Sequence, residues 1–217
     1  IVHYTYIMSI TRQNLSVIIV SFKSEHVIER CIKSIDNKIE IIIVDNSNNI
    51  QFKKDIEKKY ENVKCILSSE NIGMGAGNNL GIKNVNNDFA FILNPDVTLQ
   101  HDTINEIINA SKEIESFGII SPISNKTEYP NYKFDKNNNN QINSSEPFKV
   151  SSVDGYSMVL NLKRLKKLNS FSFFDENFFL YLENDDLCKR LQKKNENIYI
   201  IPKSKINHLG GEAVDPK

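Results

Sequence analysis

The sequence has no surplus of either charge: its 217 residues carry 27 lysines and arginines against 27 aspartates and glutamates. A dedicated nucleic-acid binder would show a basic excess, so no nucleic-acid partner is expected. A cysteine framework is missing as well. Cys31, Cys65 and Cys188 stand far apart with no Cys-x-x-Cys pair, which reads as reduced, buried thiols of a cytosolic protein. Long apolar runs are also absent. The longest, such as Ile39 to Val44 and Phe89 to Leu93, fall well short of the ~18 residues needed to span a bilayer. Residues 1–8 have neither the basic start nor the long apolar centre of a signal peptide, and are expected to be an extension ahead of Met8. A cytoplasmic protein is expected, with peripheral attachment at the inner face of the membrane left open. No internal repeat is found.

What is present is an alternation of two periodicities. Leu15 to Val20 is a continuous apolar run suited to a strand buried on both faces. After Ser24, a plausible N-cap, Ile28, Cys31, Ile32 and Ile35 recur at helical spacing. Ile39 to Val44 predicts a second buried strand, Phe52, Ile56 and Tyr60 a second helix, and Val63 to Leu67 a third strand. A glycine-rich turn is predicted at Gly73 to Gly77, leading into a helix through Leu80. Asp88 to Leu93 predicts a further strand, and Ile104, Ile107 and Ile108 the helix behind it. Strands alternating with short helices imply an α/β fold, Rossmann-like, with a mostly parallel central sheet flanked by helices. Ligands of such sheets bind beyond the carboxyl ends of the strands. Asp45, the glycine segment and Asp96 all fall just past strand ends, so one rim should collect them. Between Asn125 and Val150 the chain turns polar and low in complexity, and reads as a surface loop. Regular structure resumes at Ser152 to Tyr156 and Met158 to Leu160, before an aromatic cluster from Phe171 to Tyr181.

Several residues along this rim are equipped for chemistry. Asp45 ends the second strand, where a carboxylate offers acceptors to the imide N–H of a uracil or thymine, or else caps a turn. The segment Asn71 to Gly81 has neither the Gly-x-Gly-x-x-Gly spacing nor a P-loop Gly-Lys-Ser/Thr. What remains is a backbone free to approach a ligand and running into a helix N-terminus. In Asn94-Pro95-Asp96 the proline fixes the turn and presents a hard carboxylate of the kind that binds Mg²⁺ or Mn²⁺. Glu183-Asn184-Asp185-Asp186 opens a helical pattern, where acids complement the dipole. Because aromatics precede it, a carboxylate here can also have its pKa raised toward that of a general base. His208, after the strand Ile198 to Ile201, could complete a metal site or be structural.

Taken in order, Val44-Asp45-Asn46, Asn71 to Gly81, Asn94-Pro95-Asp96, Phe174 to Tyr181 with Glu183 to Leu187, and His208 resemble the family 2 glycosyltransferases of GT-A fold, especially bacterial rhamnosyltransferase-like members. The resemblance runs from about Leu15 to Gly211. It implies an inverting enzyme that moves a hexosyl or rhamnosyl group from a nucleoside-diphosphate sugar, UDP- or dTDP-linked. The acceptor would be a hydroxyl of a glycan or lipid-linked molecule, in bacterial surface polysaccharide or glycolipid synthesis. It further implies that Ser21, Asp45, Asn46, Asn71, Gly73, Gly77, Asn78 and Asn94 line the nucleotide-sugar pocket. Asp96 stands at the last position of the DXD-type metal motif, and His208 joins it on Mn²⁺ or Mg²⁺. The expected organisation is an extension at 1–14 and one GT-A domain at 15–217. Within it, 15–121 would bind donor, 122–150 form a polar loop and 151–217 serve acceptor and catalysis. One departure concerns the base. The usual Glu-Asp-x-Asp-Leu carries its first Asp where this chain has Asn184, which cannot deprotonate a hydroxyl, so the base falls to Asp185, Glu183 or Asp186, with Asp185 favoured for adjacency. Otherwise the chain is a catalytically impaired nucleotide-sugar-binding module. A sugar-nucleotide pyrophosphorylase ranks below both, since Ser21 to Glu25 contains no glycine. Family members usually continue past the histidine segment with further helices, so a short member or a truncated chain is expected.

Overall fold

In the computed structural model, the described residues are 9–125, 129–134, 145–168, 171–211 and 213. The elements run β1 (Leu15–Ser21), α1 (Glu25–Ser34), β2 (Glu40–Asp45), α2 (Ile50–Lys59), β3 (Val63–Leu67), α3 (Gly73–Lys83), β4 (Phe89–Leu93), β5 (Val97–Leu99) and α4 (Thr103–Glu113). They continue β6 (Ile119–Ser124), β7 (Tyr132–Lys133), β8 (Phe148–Lys149), β9 (Ser152–Val153), β10 (Ser157–Asn161), α5 (Leu162–Leu165), α6 (Glu183–Lys193) and β11 (Ile198–His208). The main sheet has the order β3-β2-β1-β4-β10-β6-β11-β5, with β8 also on β11 and β7-β9 forming a small separate sheet.

The apolar runs explain the layers. Every position of β1 and β4 is buried, because helices cover both faces of the sheet and no polar alternation is required. Val17 and Ile19 point into one core layer with Ile28 and Cys31 of α1 and Ile104 and Ile107 of α4. Ile18 and Val20 point into the other, with Ile82 of α3 and Leu187 and Leu191 of α6. β3, β2, β1 and β4 pair in parallel. β10 then enters antiparallel to β4 and β6, while β11 runs parallel to β6.

Several sequence expectations are revised by the packing. Gly73 to Gly77 is not a turn ahead of a helix but the first part of α3 itself. Glycine is needed there because α3 lies against β1: a Cβ on Gly77 would meet Val20 Cγ1 at 2.8 Å, and one on Gly81 would meet Ile18 Cγ2 at 2.5 Å. The Asn125 to Val150 segment is not all loop, since β7 and β8 lie within it. Asn131 is buried there, its amide donating to Pro122 O at 2.9 Å and its Oδ1 accepting from Ser124 N at 3.0 Å. The Asn137 to Asn140 run lies outside the described residues, as do residues 1–8. Ile10, placed in the N-terminal extension, is buried in the core and its N–H donates to Ser111 Oγ at 2.9 Å. β5 was not anticipated, and the last strand does not stop at Ile201. After a register shift between Ile201 and Lys205, β11 continues to pair antiparallel with β5, setting His208 opposite Val97.

Candidate active site

That last pairing builds the centre of the rim. Val97 follows Asp96 directly, so β5 and β11 bring together two side chains 112 residues apart in sequence. Asn94-Pro95-Asp96 fills the sharp link between β4 and β5, closed by Val97 N donating to Asn94 O at 3.2 Å and anchored by Asn94 N donating to Tyr156 O at 3.0 Å. Asp96 is 2% exposed, and its Oδ1 has no hydrogen-bond partner. His208 Nε2 lies 3.5 Å from Oδ1. Tyr156 stacks on the His208 ring, with centroids 3.9 Å apart and planes at 25°. Burial pushes the Tyr156 hydroxyl up to about 12, so it stays protonated. A buried carboxylate oxygen without a donor is costly unless a cation or proton meets it. Oxygen and imidazole nitrogen side by side therefore fit a divalent cation that takes its remaining ligands from phosphate and water. Among the described residues no cluster of three or more His, Cys, Asp or Glu surrounds the pair, so those residues offer two ligands there.

A cleft of about 510 Å³ opens onto this pair. One wall carries Asn46, Asn71 and Gly73. The Asn46 amide donates to Asn71 Oδ1 at 3.2 Å and to Gly73 O at 3.1 Å, while Ser68 Oγ donates to Asn46 Oδ1 at 3.1 Å. Gly73 has φ +80°, and a Cβ would come within 2.2 Å of Phe179 O, so the start of α3 and the Phe179 backbone close on one another only at glycine. Asn94 also lines the cleft, its Oδ1 buried and unpartnered.

Other predicted residues sit behind this wall rather than on it. Asp45 is buried, and its carboxylate accepts from Ser47 N and Oγ at 3.3 and 2.7 Å and from Asn49 N at 2.7 Å, the turn-capping use of an aspartate. Ser21 and Asn78 are buried with an unpartnered Oγ and Oδ1. Gly77 packs on Val20.

Of the acidic segment, only Glu183 and Asn184 line the cleft. Glu183 is the first residue of α6, delivered by Tyr181 and Leu182 at φ 67° and 69°. Two successive non-glycine residues in the left-handed region are strained, at ~1–3 kcal/mol each. Glu183 Oε2 is buried without a hydrogen-bond partner. Burial raises the carboxyl pKa, Asp185 adds to the rise, and the residue's own N–H works the other way. Asp185 instead pairs with Lys133 at 3.2 Å and Asp186 with Arg190 at 2.6 Å; neither lines the cleft. Asn184 donates to Val153 O at 3.0 Å, tying α6 to β9.

Asp154 and Tyr156 are cleft residues that the sequence did not single out. The Asp154 carboxyl is held above the usual range by burial, with Asp185 raising it and Lys133 and His208 lowering it. The signal was available: Asp154-Gly155 follows a strand immediately, the same placement that drew attention to Asp96.

A mixed α/β sheet with this acidic turn at its rim is the GT-A glycosyltransferase fold. The crystal structure of GalNAc-T7 with UDP, GalNAc and Mn²⁺ superimposes with a TM-score of 0.72 at 14% identity, over 91% of this chain and 44% of that one. Staphylococcus aureus TarS 1–349 in complex with UDP does so at 0.64 and 17% identity, over 89% of this chain and 60% of that one.

The chain belongs to glycosyl transferase family 2, whose model matches residues 16–188. Curated relatives include the low-salt glycan biosynthesis hexosyltransferase Agl10 of Haloferax volcanii, 26% identical over 85% of this chain and 64% of its own length. The rhamnosyltransferase WbbL of Escherichia coli K12 is 24% identical over 86% of this chain and 80% of its own length. The chain thus spans under two thirds of the first relative.

Proposed function

We propose that the protein transfers a hexosyl or rhamnosyl group from a UDP- or dTDP-linked sugar to a hydroxyl of a glycan or lipid-linked acceptor, inverting the anomeric centre, in surface polysaccharide or glycolipid synthesis. One observation carries the reading: a single cleft is lined by Asp96 beside His208 and by Glu183, each acid with one buried carboxylate oxygen that no hydrogen bond reaches. The relatives named as hexosyl- and rhamnosyltransferases support the sugar class, and neighbours solved with UDP support the donor class.

Asp96 and His208 would hold Mn²⁺ or Mg²⁺, which when bound neutralises charge growing on the departing diphosphate. Asn46, Asn71 and the open backbone at Gly73 would hold the nucleotide side of the donor. Asp45 supports that wall from behind. Asp154 would accept a hydrogen bond from the acceptor and orient it. Glu183 would take the acceptor proton: its carboxylate is desolvated, which raises its basicity into a useful range. Asn184 would keep the structural duty of tying α6 to β9.

Thermal shift with UDP and dTDP, each with and without Mn²⁺, tests the donor site. A metal-dependent rise in melting temperature is expected with at least one nucleotide, and no rise with any would sink the reading. A donor-hydrolysis assay then separates an enzyme from a binding module that retains only the pocket, a second reading that Asn184 keeps in view. Nucleotide binding without turnover favours the module.

A further inference from the structure

The chain is charge-neutral overall, yet its basic residues are unevenly spread. Residues 162–168, Leu-Lys-Arg-Leu-Lys-Lys-Leu, contain four basic residues and no acid, and residues 187–194, Leu-Cys-Lys-Arg-Leu-Gln-Lys-Lys, repeat that composition on the second half of α6. The fold joins them at one edge. Arg164 bonds to Glu196 just beyond α6, and the Arg190 guanidinium donates to the carbonyls of Ser172 and Phe173 and lies 5.3 Å from the Phe171 ring. Those pairings, with Asp186 on Arg190 and Asp88 on Lys163, use up both arginines and one lysine. Lys166, Lys167, Lys189, Lys193 and Lys194 are exposed and form no ion pair among the described residues.

The turn that leads into the other end of α6 is apolar. Phe179, Leu180, Tyr181 and Leu182 are 54, 49, 73 and 58% exposed. Four consecutive large apolar side chains in water are unusual for a soluble surface. They are held out by the strained turn that delivers Glu183, and three of them edge the cleft. α6, 11 residues long and about 16 Å at 1.5 Å per residue, links the two ends. The acids along this stretch have partners: Asp175 accepts from Asn177 and Glu176 from Asn79, while Asp185 and Asp186 of α6 pair with Lys133 and Arg190.

Unpaired lysines with long apolar stems, set beside an exposed aromatic and aliphatic turn, match an anionic lipid surface. Lysines attract its charge, and an apolar turn enters the headgroup boundary. We propose that the α6 side of this protein, from Lys166 and Lys167 to the Phe179 to Leu182 turn, docks on an anionic membrane and holds the cleft mouth at the lipid surface. This inference does not rest on the glycosyl-transfer reading and can fail independently of it.

The sequence contains no tryptophan, so Tyr181→Trp gives a single fluorescent reporter at the apolar end. Co-sedimentation of the full chain should show at least tenfold stronger partition to phosphatidylcholine vesicles containing phosphatidylglycerol than to phosphatidylcholine alone, lost in 0.5 M NaCl. Reversing Lys166, Lys167, Lys189 and Lys193 to Glu should weaken it at least tenfold, with the circular dichroism spectrum and melting temperature unchanged. In the Tyr181→Trp protein, brominated lipid in the anionic vesicles should quench the indole. Equal partition to neutral vesicles, partition that survives charge reversal, or absence of quenching would each overturn the proposal. Binding to heparin or RNA as tight as to anionic vesicles would also overturn it, in favour of a polyanion site.

Discussion

At the scale of single residues, Glu183 and Asp96 show what an unsatisfied carboxylate implies. Both are buried with an oxygen that no donor reaches, an arrangement a folded protein tolerates where a ligand completes it. For Glu183 the consequence is a raised pKa. The folded chain therefore keeps the proton to higher pH than the unfolded chain does. Between those two pKa values the folded state binds more protons, so stability falls as pH rises through the window. Glu183→Gln is expected to raise the melting temperature at neutral pH, by ~2–4 °C for each kcal/mol recovered, while lowering kcat by ~10²–10⁴-fold. Calorimetry at pH 4 and pH 8 alongside kinetics checks both halves; a variant less stable at pH 8 would refute the burial argument. The wild-type rate should also drop as pH falls through the raised pKa, and that limb should vanish in the Gln variant. For Asp96, replacement by Ala should abolish metal-dependent donor turnover, whereas full wild-type turnover in excess chelator would remove the metal from the account.

At the scale of elements, α3 and α6 illustrate two ways a helix is fixed on a sheet. α3 uses absence: its glycines let the backbone settle on Ile18 and Val20 of β1. Gly81→Ala improves helix propensity by ~1 kcal/mol, yet places a methyl 2.5 Å from Ile18 Cγ2, and overpacking of that kind costs ~1–3 kcal/mol. The net expectation is a lower melting temperature. A rise would show that β1 and α3 separate easily. α6 uses a donor: the Asn184 amide reaches Val153 O. Asn184→Asp restores the residue usual in the family but sets a carboxylate oxygen against a carbonyl oxygen. Loss of the hydrogen bond and repulsion at this part-buried contact should lower stability by ~1–3 kcal/mol, measurable by urea denaturation. A more stable Asp variant would mean that the helix start rearranges.

At the scale of the molecule, the domain reaches further toward the N-terminus than the strand pattern suggested. Ile10 lies in the same core layer as β1 and α4, so Ile10→Ala is expected to cost ~2–5 kcal/mol, read by chemical denaturation. A change under ~0.5 kcal/mol would return these residues to the role of an appendage.

What was legible beforehand divides along a physical line. Strands β1 to β4 and helices α1, α2 and α4 announced themselves through period, because burial on one or both faces writes a repeat into consecutive residues. So did the placement of Asp45 and Asp96 at strand ends. The glycine segment was misread as a turn, since its purpose is a close approach to a strand more than fifty residues earlier. β5 is too short to show a period, and the extension of β11 depends on a partner it meets only in the folded sheet. The same holds for the site. Strand ends legible in the sequence place Asp45 and Asp96 at the rim of an α/β sheet. That His208 meets Asp96, while Asp185 and Asp186 turn to Lys133 and Arg190 and Glu183 faces the cleft, follows from packing between distant segments. Helical spacing places those acids within one turn of each other, but the strain at Tyr181 and Leu182 and the neighbours on each side choose which one is stripped of water.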